Sequence, residues 1–251
     1  MTTVSHPHRA FQVALRECRL VTERILLTLG LPQGCIPAIR ESIILSHAMG
    51  LGGFQHLHDI RQTLAQVGYG AMQMKEAANG GLDIDGGGIH AWLIAQTVAD
   101  LAVDIARRQG SGTVRLFNIS VPEELAVVEG LASRHGARAA VEIHRQAGGL
   151  ATMVTATNTS RPRDLDHWDP YLADGIRHHF PVDEQLWQAL YHLSNAALAP
   201  DSVVSRRHAG PVILLDDGTI VGRLPADDDF DPQMLKKAEI NKINEGAVDG
   251  N

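Results

Sequence analysis

The stretch LDIDGGGIHAWLIAQTVADLAVDIARRQGSGTVRLFNI, residues 82–119, decides the fold. A short β-rich segment, Leu82–Asp85, leads into three glycines, and apolar residues then recur every three or four positions over 89–109. That period predicts a helix with one buried face, which Gly110 ends. Residues 113–119 are again β-rich. The stretch therefore predicts a strand, a helix and a second strand, from which a sheet with covering helices is built.

The segments on either side extend this unit. Residues 122–134 fit another helix with acids in its first turn, and 139–144 and 151–157 fit two strands that Gly148 and Gly149 connect as a hairpin. Before the unit, apolar spacing predicts three helices, at 9–29, 37–49 and 54–67, whereas residues 68–80 show no clear period. After it we expect a polar connector at 161–170, a helix at 182–197, and a hairpin from 211–215 and 219–222.

These elements predict an α+β (or α/β) fold, with N-terminal helices packed beside one small mixed sheet that further helices cover. We expect one compact unit in three parts. They are a helical region at 1–67, an α/β core with the C-terminal hairpin at 80–225, and a tail at 226–251 that is exposed or wrapped on a partner subunit.

Composition limits the functional classes. The formal net charge of -7 argues against nucleic acid and against anionic membrane surfaces as partners. The sequence shows neither a signal-peptide apolar region nor an apolar run long enough for a bilayer, so a cytoplasmic location is expected. The two cysteines, Cys18 and Cys35, fit buried reduced thiols, and no zinc-ligand spacing accompanies them, so no metal is predicted.

The glycine turn Gly86-Gly87-Gly88 is a candidate ligand-binding site. It precedes a predicted helix, whose free N–H groups and positive dipole end favour a phosphate or carboxylate. The spacing is neither G-x-G-x-x-G nor that of a P-loop. The alternative interpretation is a tight strand-to-helix turn without a ligand.

Histidines supply candidate catalytic groups. On a helix over 54–67, His56 and Asp59 lie one turn apart, where a histidine and a carboxylate can form a general base or a pair of metal ligands. The alternative is a solvated helix face. The second candidate segment, 200–210, places Ser202, Ser205 and Arg206 where they could hold a carboxylate or phosphate, with His208 beside them. The alternative, which the composition of the segment favours, is a salt-bridged structural loop.

Two stretches resemble known families. Trp187-x-x-Leu190 and the later Pro200-x-Ser202-x-x-Ser205-Arg206 resemble the closing signature of an uncharacterised bacterial family, a domain of unknown function, which brings no assigned activity.

Residues 20–135 resemble the malate/L-lactate dehydrogenases that lack the Rossmann fold. Asp85-Gly86 leads into the long helix, which closes on Gly110-Ser111-Gly112, and the strand up to Asn118 follows in that family's order. The resemblance implies a fold that dimerises, and Asn118 as a ligand-binding residue. The family's two functional histidines are replaced here by Phe54 and Val121, so hydride chemistry is expected to be lost and no cofactor is identified.

Two functions follow as expectations. The first is a metabolic enzyme that acts on a small carboxylate-bearing molecule. In it Gly86–Gly88 and Arg206 hold the anion, His56 or His208 moves protons, and the chain is a homodimer. The second is a non-catalytic binding or accessory protein descended from a malate/L-lactate dehydrogenase-like enzyme.

Overall fold

The computed structural model describes residues 10–77, 80–146, 149–159 and 164–198, together with the backbone of 212–214 and 220–222. The chain divides into two compact units, Met1–Leu198 and Ala199–Asn251. Helices and a five-stranded mixed sheet make up the described part of the first unit, so the predicted α+β class is confirmed.

The helices of the described residues are α1 (Leu15–Leu27), α2 (Ile36–Ala48), α3 (Gly53–Ile60), α4 (Ala91–Gln109), α5 (Val127–Ser133), α6 (Leu165–Trp168), α7 (Pro170–His178) and α8 (Glu184–Ser194). The strands are β1 (Ala10–Val13), β2 (Gln73–Glu76), β3 (Leu82–Asp85), β4 (Ser111–Phe117), β5 (Ala137–Gln146), β6 (Gly149–Asn158), β7 (Phe180–Asp183), β8 (Val212–Leu214) and β9 (Ile220–Gly222). Short 3-10 turns lie at 33–35, 69–71, 122–126 and 195–197.

The main sheet has the strand order β2-β3-β4-β6-β5. Strands β3 and β4 are parallel, with α4 as the connection between them, and the other neighbouring pairs are antiparallel. The predicted strand–helix–strand unit and the β5–β6 hairpin are therefore confirmed. Helix α4 packs on β4 and β6, and Gly112 permits this close approach because a Cβ there would lie 2.1 Å from the Ala102 carbonyl oxygen.

The apolar core lies between the sheet and its helices. Val114, Leu116 and Val154 contribute fully buried side chains from the strands, and α2 contributes Ile39 and Ile43. Burial of this kind contributes about 1.5–3 kcal/mol for each large aliphatic side chain. The aliphatic core agrees with a chain in which aromatic residues make up only 4%.

An ionic network joins the helices on one side of this core. The Glu41 carboxylate accepts both hydrogen bonds of a bidentate pair with the Arg19 guanidinium (2.8 and 2.9 Å), which helps to lower the pKa of Glu41 although burial opposes the shift. Arg134 donates to the fully buried Asp169 at 2.7 Å, and Asp169 also accepts from the Leu172 N–H at the start of α7. Arg134, at the end of α5, also lies 3.6 Å from the Glu41 carboxylate, so helices α1, α2, α5 and α7 are tied together.

The N-terminal helix predictions needed three corrections. Residues 10–13 are not helical, because they pair with β7 as strand β1, and this pairing overrides the local helical period. The third helix ends at Ile60 rather than at residue 67. The segment without a clear period contains β2, which gains its hydrogen bonds from β3 rather than from any signal of its own.

The bounds of later elements also differ from the predicted ones. The helix predicted over 182–197 begins at Glu184, because Phe180–Asp183 is the partner strand of β1 and Asp183 caps the helix that follows. The connector predicted at 161–170 contains α6. Residues 122–126 form a 3-10 turn before α5. In the second unit, β8 and β9 pair antiparallel, so the terminal hairpin is confirmed.

Candidate functional site

The candidate site lies where β3 and β4 end. These strands are parallel, so their carboxyl ends meet at the same edge of the sheet, which is where ligands bind in open α/β sheets. The segments that follow them continue side by side. The Ser120 N–H donates to the Ile89 carbonyl at 2.9 Å, and the Ala91 N–H donates to the Ser120 carbonyl at 3.1 Å.

The glycine turn is held by bonds within the chain. The Gly86 and Gly88 N–H groups donate to the carbonyls of Phe117 (2.9 Å) and Asn118 (2.7 Å), and the Gly87 N–H donates to the Asp85 carboxylate (2.9 Å). The three amide donors are thus bonded within the protein, so an anion at this turn would have to replace one of these bonds. Anion binding by these glycines remains a prediction.

Two residues after β4 adopt left-handed backbone conformations. Asn118 has φ 52° and Val121 has φ 53°. Asparagine tolerates this region, and the Asn118 side chain donates to Asp85 at 2.9 Å, which helps to lower the pKa of that carboxyl group. For the β-branched Val121 the same conformation costs about 1–3 kcal/mol, and strain of this kind is concentrated at functional sites.

His90 is buried at the start of α4, directly after the glycine turn. Its Nδ1 accepts a hydrogen bond from the Trp92 N–H at 3.2 Å, so the imidazole serves as the N-cap of the helix. The side chain is 6% exposed. Burial, reinforced by nearby His56, lowers the pKa of His90 to about 3, so the ring is neutral at physiological pH.

His56, on α3, faces His90. The two Nε2 atoms are 3.1 Å apart and form a hydrogen bond, with ring centroids 5.2 Å apart. Trp92 contacts both rings, edge-on to His56 at 5.1 Å and tilted against His90 at 4.8 Å. The His56–His90 pair therefore rests against an indole, and His56 is its half-buried member.

A buried carboxylate fixes the elements that carry this pair. Glu124, 4% exposed, accepts from the Trp92 indole N–H and from the Gly52 N–H, each at 2.8 Å. Gly52 precedes α3, and its carbonyl accepts from the His56 N–H at 3.1 Å. Glu124 thus connects the start of α3 to α4, the two helices whose histidines meet.

A cavity of about 180 Å³ opens beside His90. Its walls come from 60–67 and from the ends of the two parallel strands, through Gly88, Ser120 and Val121. The lining is apolar with a few hydrogen-bonding side chains, as small-molecule sites usually are. The cavity is lined by Ile60, Thr63, Leu64, Gln66, Val67, Gly88, His90, Ser120 and Val121.

The residues predicted from the sequence fall into three groups. His56, Gly86–Gly88 and Asn118 all lie near this edge of the sheet. Asp59 does not pair with His56, since its carboxylate is exposed and bonded to Gln55 (3.0 Å) and His58 (3.2 Å). The four remaining candidates lie outside the described residues: Ser202, Ser205, Arg206 and His208.

The two positions where the resemblance expected histidines differ in environment. Phe54 is fully buried, with its ring 4.4 Å from that of His47 and 6.0 Å from that of Trp187, so position 54 belongs to the core. Val121 lines the cavity. The imidazoles near this edge of the sheet come from positions 56 and 90 instead.

Sequence reasoning missed three residues of the site: His90, Trp92 and Glu124. Positions 90 and 92 fall within the helix predicted over 89–109, and Glu124 is one of the acids in the first turn of the helix predicted over 122–134. One sequence signal could have identified His90. It is the histidine between the glycine turn and the long helix, at a position where a helix needs a side chain that accepts a hydrogen bond.

The described residues contain neither a metal-binding cluster nor a membrane-spanning helix. Residues 10–77, 80–146, 149–159 and 164–198 contain no group of three side chains that could hold a metal ion. In the same part of the chain, no helix combines the length and the apolar character needed to cross a bilayer.

Comparisons with known proteins point to a fold. No protein-family model matches the chain, and no curated protein matches its sequence, so the resemblance to the uncharacterised bacterial family gains no support. Among solved structures, the chain is similar to a dehydrogenase from Sinorhizobium meliloti, with TM-score 0.55, 10% identity, and 74% of this chain and 100% of that chain covered.

Two further structures agree. An E. coli protein of the malate/lactate dehydrogenase type gives TM-score 0.52 at 10% identity, with 78% of this chain and 98% of that chain covered. The sulfolactate dehydrogenase from Methanocaldococcus jannaschii gives TM-score 0.50 at 9% identity, with 74% and 97% covered. The chain therefore shares the fold of malate/lactate/sulfolactate dehydrogenase-like proteins, as the second resemblance implied.

Proposed function

We propose that the protein is an enzyme that acts on a small carboxylate-bearing molecule. The observation that carries this proposal is the cavity at the carboxyl ends of β3 and β4, with the neutral, buried His90 in its wall and His56 bonded to it. Proteins that share the fold are named for malate, lactate and sulfolactate, each a small hydroxy acid. The fold similarity supports the substrate class and leaves the reaction open.

In this proposal the ligand occupies the cavity and each wall contributes a different contact. Gly88 has no side chain to block a close approach, and the Ser120 hydroxyl offers a hydrogen bond. His56 does not line the cavity itself, but it is bonded to His90, which does, and it is proposed to bond a reacting oxygen of a ligand that extends past His90. From the sequence alone, Arg206, Ser202 and Ser205 are also proposed to bind a carboxylate and His208 to exchange protons; these four residues lie outside the described part of the chain.

A second candidate is a non-catalytic binding or accessory protein. One observation favours it, namely that neither lysine nor arginine is among the described residues that line the cavity. Both ring nitrogens of His90 are also engaged within the protein, so His90 by itself cannot accept a substrate proton while these bonds persist.

The first experiment is a thermal-shift panel of lactate, malate, pyruvate and oxaloacetate on the full chain. A ligand that binds only the native state at 100 times its dissociation constant adds about 2.7 kcal/mol of stability. Val67→Trp fills the cavity, and Gln62→Trp is the matched control on the same segment, exposed and away from the cavity. Arg206→Ala tests the proposed carboxylate contact, with Arg207→Ala as its control.

The enzyme proposal predicts that at least one acid stabilises the wild type and Gln62→Trp but not Val67→Trp. Conversion of that acid is then followed by proton NMR, with His56→Gln as the inactive variant. If none of the acids stabilises the wild type, the carboxylate proposal fails and the proposal of an accessory function is supported instead. If Val67→Trp responds like Gln62→Trp, the cavity is not the binding site.

A further inference from the structure

We infer that His90 fixes the tautomer of His56, so that His56 presents an Nδ1–H donor and not a basic nitrogen at its free edge. This inference deepens the proposed function and names the chemistry that the site recognises, which is a carbonyl or carboxylate oxygen. His90 is in this sense a positioning residue, which acts through His56.

His90 lies at the N-terminus of α4, where it caps the helix. The Trp92 N–H donates to His90 Nδ1 at 3.2 Å, so that nitrogen carries a lone pair. A neutral imidazole has one N–H, and the ring of His90 is neutral. Its proton is therefore on Nε2.

The proton on His90 Nε2 decides which nitrogen of His56 is protonated. The Nε2–H of His90 points at His56 Nε2, 3.1 Å away, which must then accept. The proton of a neutral His56 is therefore on Nδ1. The Trp92 indole N–H does not compete for these nitrogens because it donates to Glu124 at 2.8 Å.

The opposite arrangement is disfavoured by burial. If His56 donated from Nε2, His90 would need its proton on Nδ1, where it would face the Trp92 N–H as a second donor. One of these donors would be left without an acceptor in a residue that is 6% exposed. A buried unsatisfied donor costs about 1–3 kcal/mol, which corresponds to roughly a five- to 150-fold preference for the first tautomer.

An Nδ1–H donor has a defined use. It binds an oxygen acceptor and polarises a carbonyl. As long as the pair is intact, Nδ1 of His56 cannot serve as a general base. The site therefore favours ligands that present a carbonyl or carboxylate oxygen over ligands that present only N–H or O–H donors.

Nitrogen-15 NMR of histidine-labelled full-length protein tests the inference, since multiple-bond proton–nitrogen correlations distinguish the two neutral tautomers. His56→Gln assigns the signal. His90→Asn is the decisive variant, because asparagine is a good N-cap whose oxygen can replace Nδ1, yet its side chain is too short to reach His56. Exposed His178, paired with Asp174, is an internal control.

The expected spectrum of the wild type shows His56 protonated on Nδ1 and His90 on Nε2. In His90→Asn the His56 signal shifts to a mixture with the Nε2–H form, and the His178 signal stays unchanged. A wild-type His56 protonated on Nε2, or a His56 tautomer that is the same in His90→Asn, overturns the inference.

Pyruvate separates this inference from the proposed function. If pyruvate stabilises the protein, the His56 Nδ1–H proton should shift downfield on its addition, and an unchanged proton overturns the donor role. If pyruvate and the other acids of the panel do not bind, the proposed function fails, whereas the tautomer spectra still decide the inference on their own.

Discussion

Replacement of Glu124 by glutamine tests how the two site helices are held. The carboxylate accepts from the Trp92 indole N–H and the Gly52 N–H, both at 2.8 Å, and has 4% of its surface exposed. Glutamine keeps one acceptor oxygen but turns an NH₂ group toward the other donor. A hydrogen bond to a charged group contributes about 1.5–3 kcal/mol, and an unsatisfied buried donor costs about 1–3 kcal/mol.

These contributions overlap, and the neutral amide is cheaper to bury, so we expect a net loss of about 2 kcal/mol in the free energy of unfolding. In a unit of this size that loss lowers the melting temperature by about 4–8 °C. Urea unfolding followed by circular dichroism measures it. The neighbouring Glu123 is exposed, so Glu123→Gln is the matched control and should change stability by less than about 0.5 kcal/mol.

Combination with Trp92→Phe completes a double-mutant cycle. The two sites share a hydrogen bond, so the effects of Glu124→Gln and Trp92→Phe should not add, with a coupling of about 1 kcal/mol or more. If Glu124→Gln is as stable as Glu123→Gln, the carboxylate does not join α3 to α4 and the reasoning is refuted.

Three further predictions concern other parts of the first unit. Gly112→Ala should lower the free energy of unfolding in urea by about 3 kcal/mol, because its Cβ would meet backbone atoms of α4 at 2.1 and 2.7 Å. The Cβ of the control Gly34→Ala meets nothing within 4 Å, so this variant should be as stable as the wild type, and equal stability of the two variants contradicts this packing. The hydrogen bond from Asp164 raises the pKa of exposed His167, so an NMR titration should give a His167 pKa above 6.5. In Asp164→Asn the His167 pKa should return toward 6.5. This pair therefore stabilises the fold while His167 is charged and Asp164 is ionised. The contribution is lost as the pH rises through the His167 pKa and as it falls through the Asp164 pKa, and an unchanged His167 pKa in Asp164→Asn would contradict the pairing. Burial raises the pKa of Cys18 to about 12, so a thiol reagent should modify only Cys35 quickly in the native protein; fast native labelling of Cys35→Ala would show that Cys18 is accessible.

The sequence predicted the sheet where local signals agreed. From 82 to 157, apolar periods, glycine stops and β-rich runs all pointed to the same elements, and the structure has them with shifts of a few residues at their ends. The elements that it did not predict gain their stability from distant partners. Strand β2 has four exposed residues and relies on β3, and β1 relies on a strand near residue 180.

The candidate site shows the same limit. The sequence singled out His56 but paired it with Asp59, since a helical period relates only residues on one helix. The observed partner, His90, lies 34 positions away on the N-cap of another helix. Glu124 is a carboxylate with two neutral donors, a role that becomes visible only when α3 and α4 are placed together.

The pairing of β1 with β7 has a consequence for biosynthesis. Ala10–Val13 cannot find its partner until the ribosome has made and released the segment around residue 180. The two strands are separated by about 170 residues, so at usual translation rates of about 5–20 residues per second β1 waits roughly 10–30 s. Helix α1 packs against both α2 and α8, so only the face that meets α8 waits for the later part of the chain. During synthesis the first strand of this chain therefore stays unpaired until most of the first unit has been made.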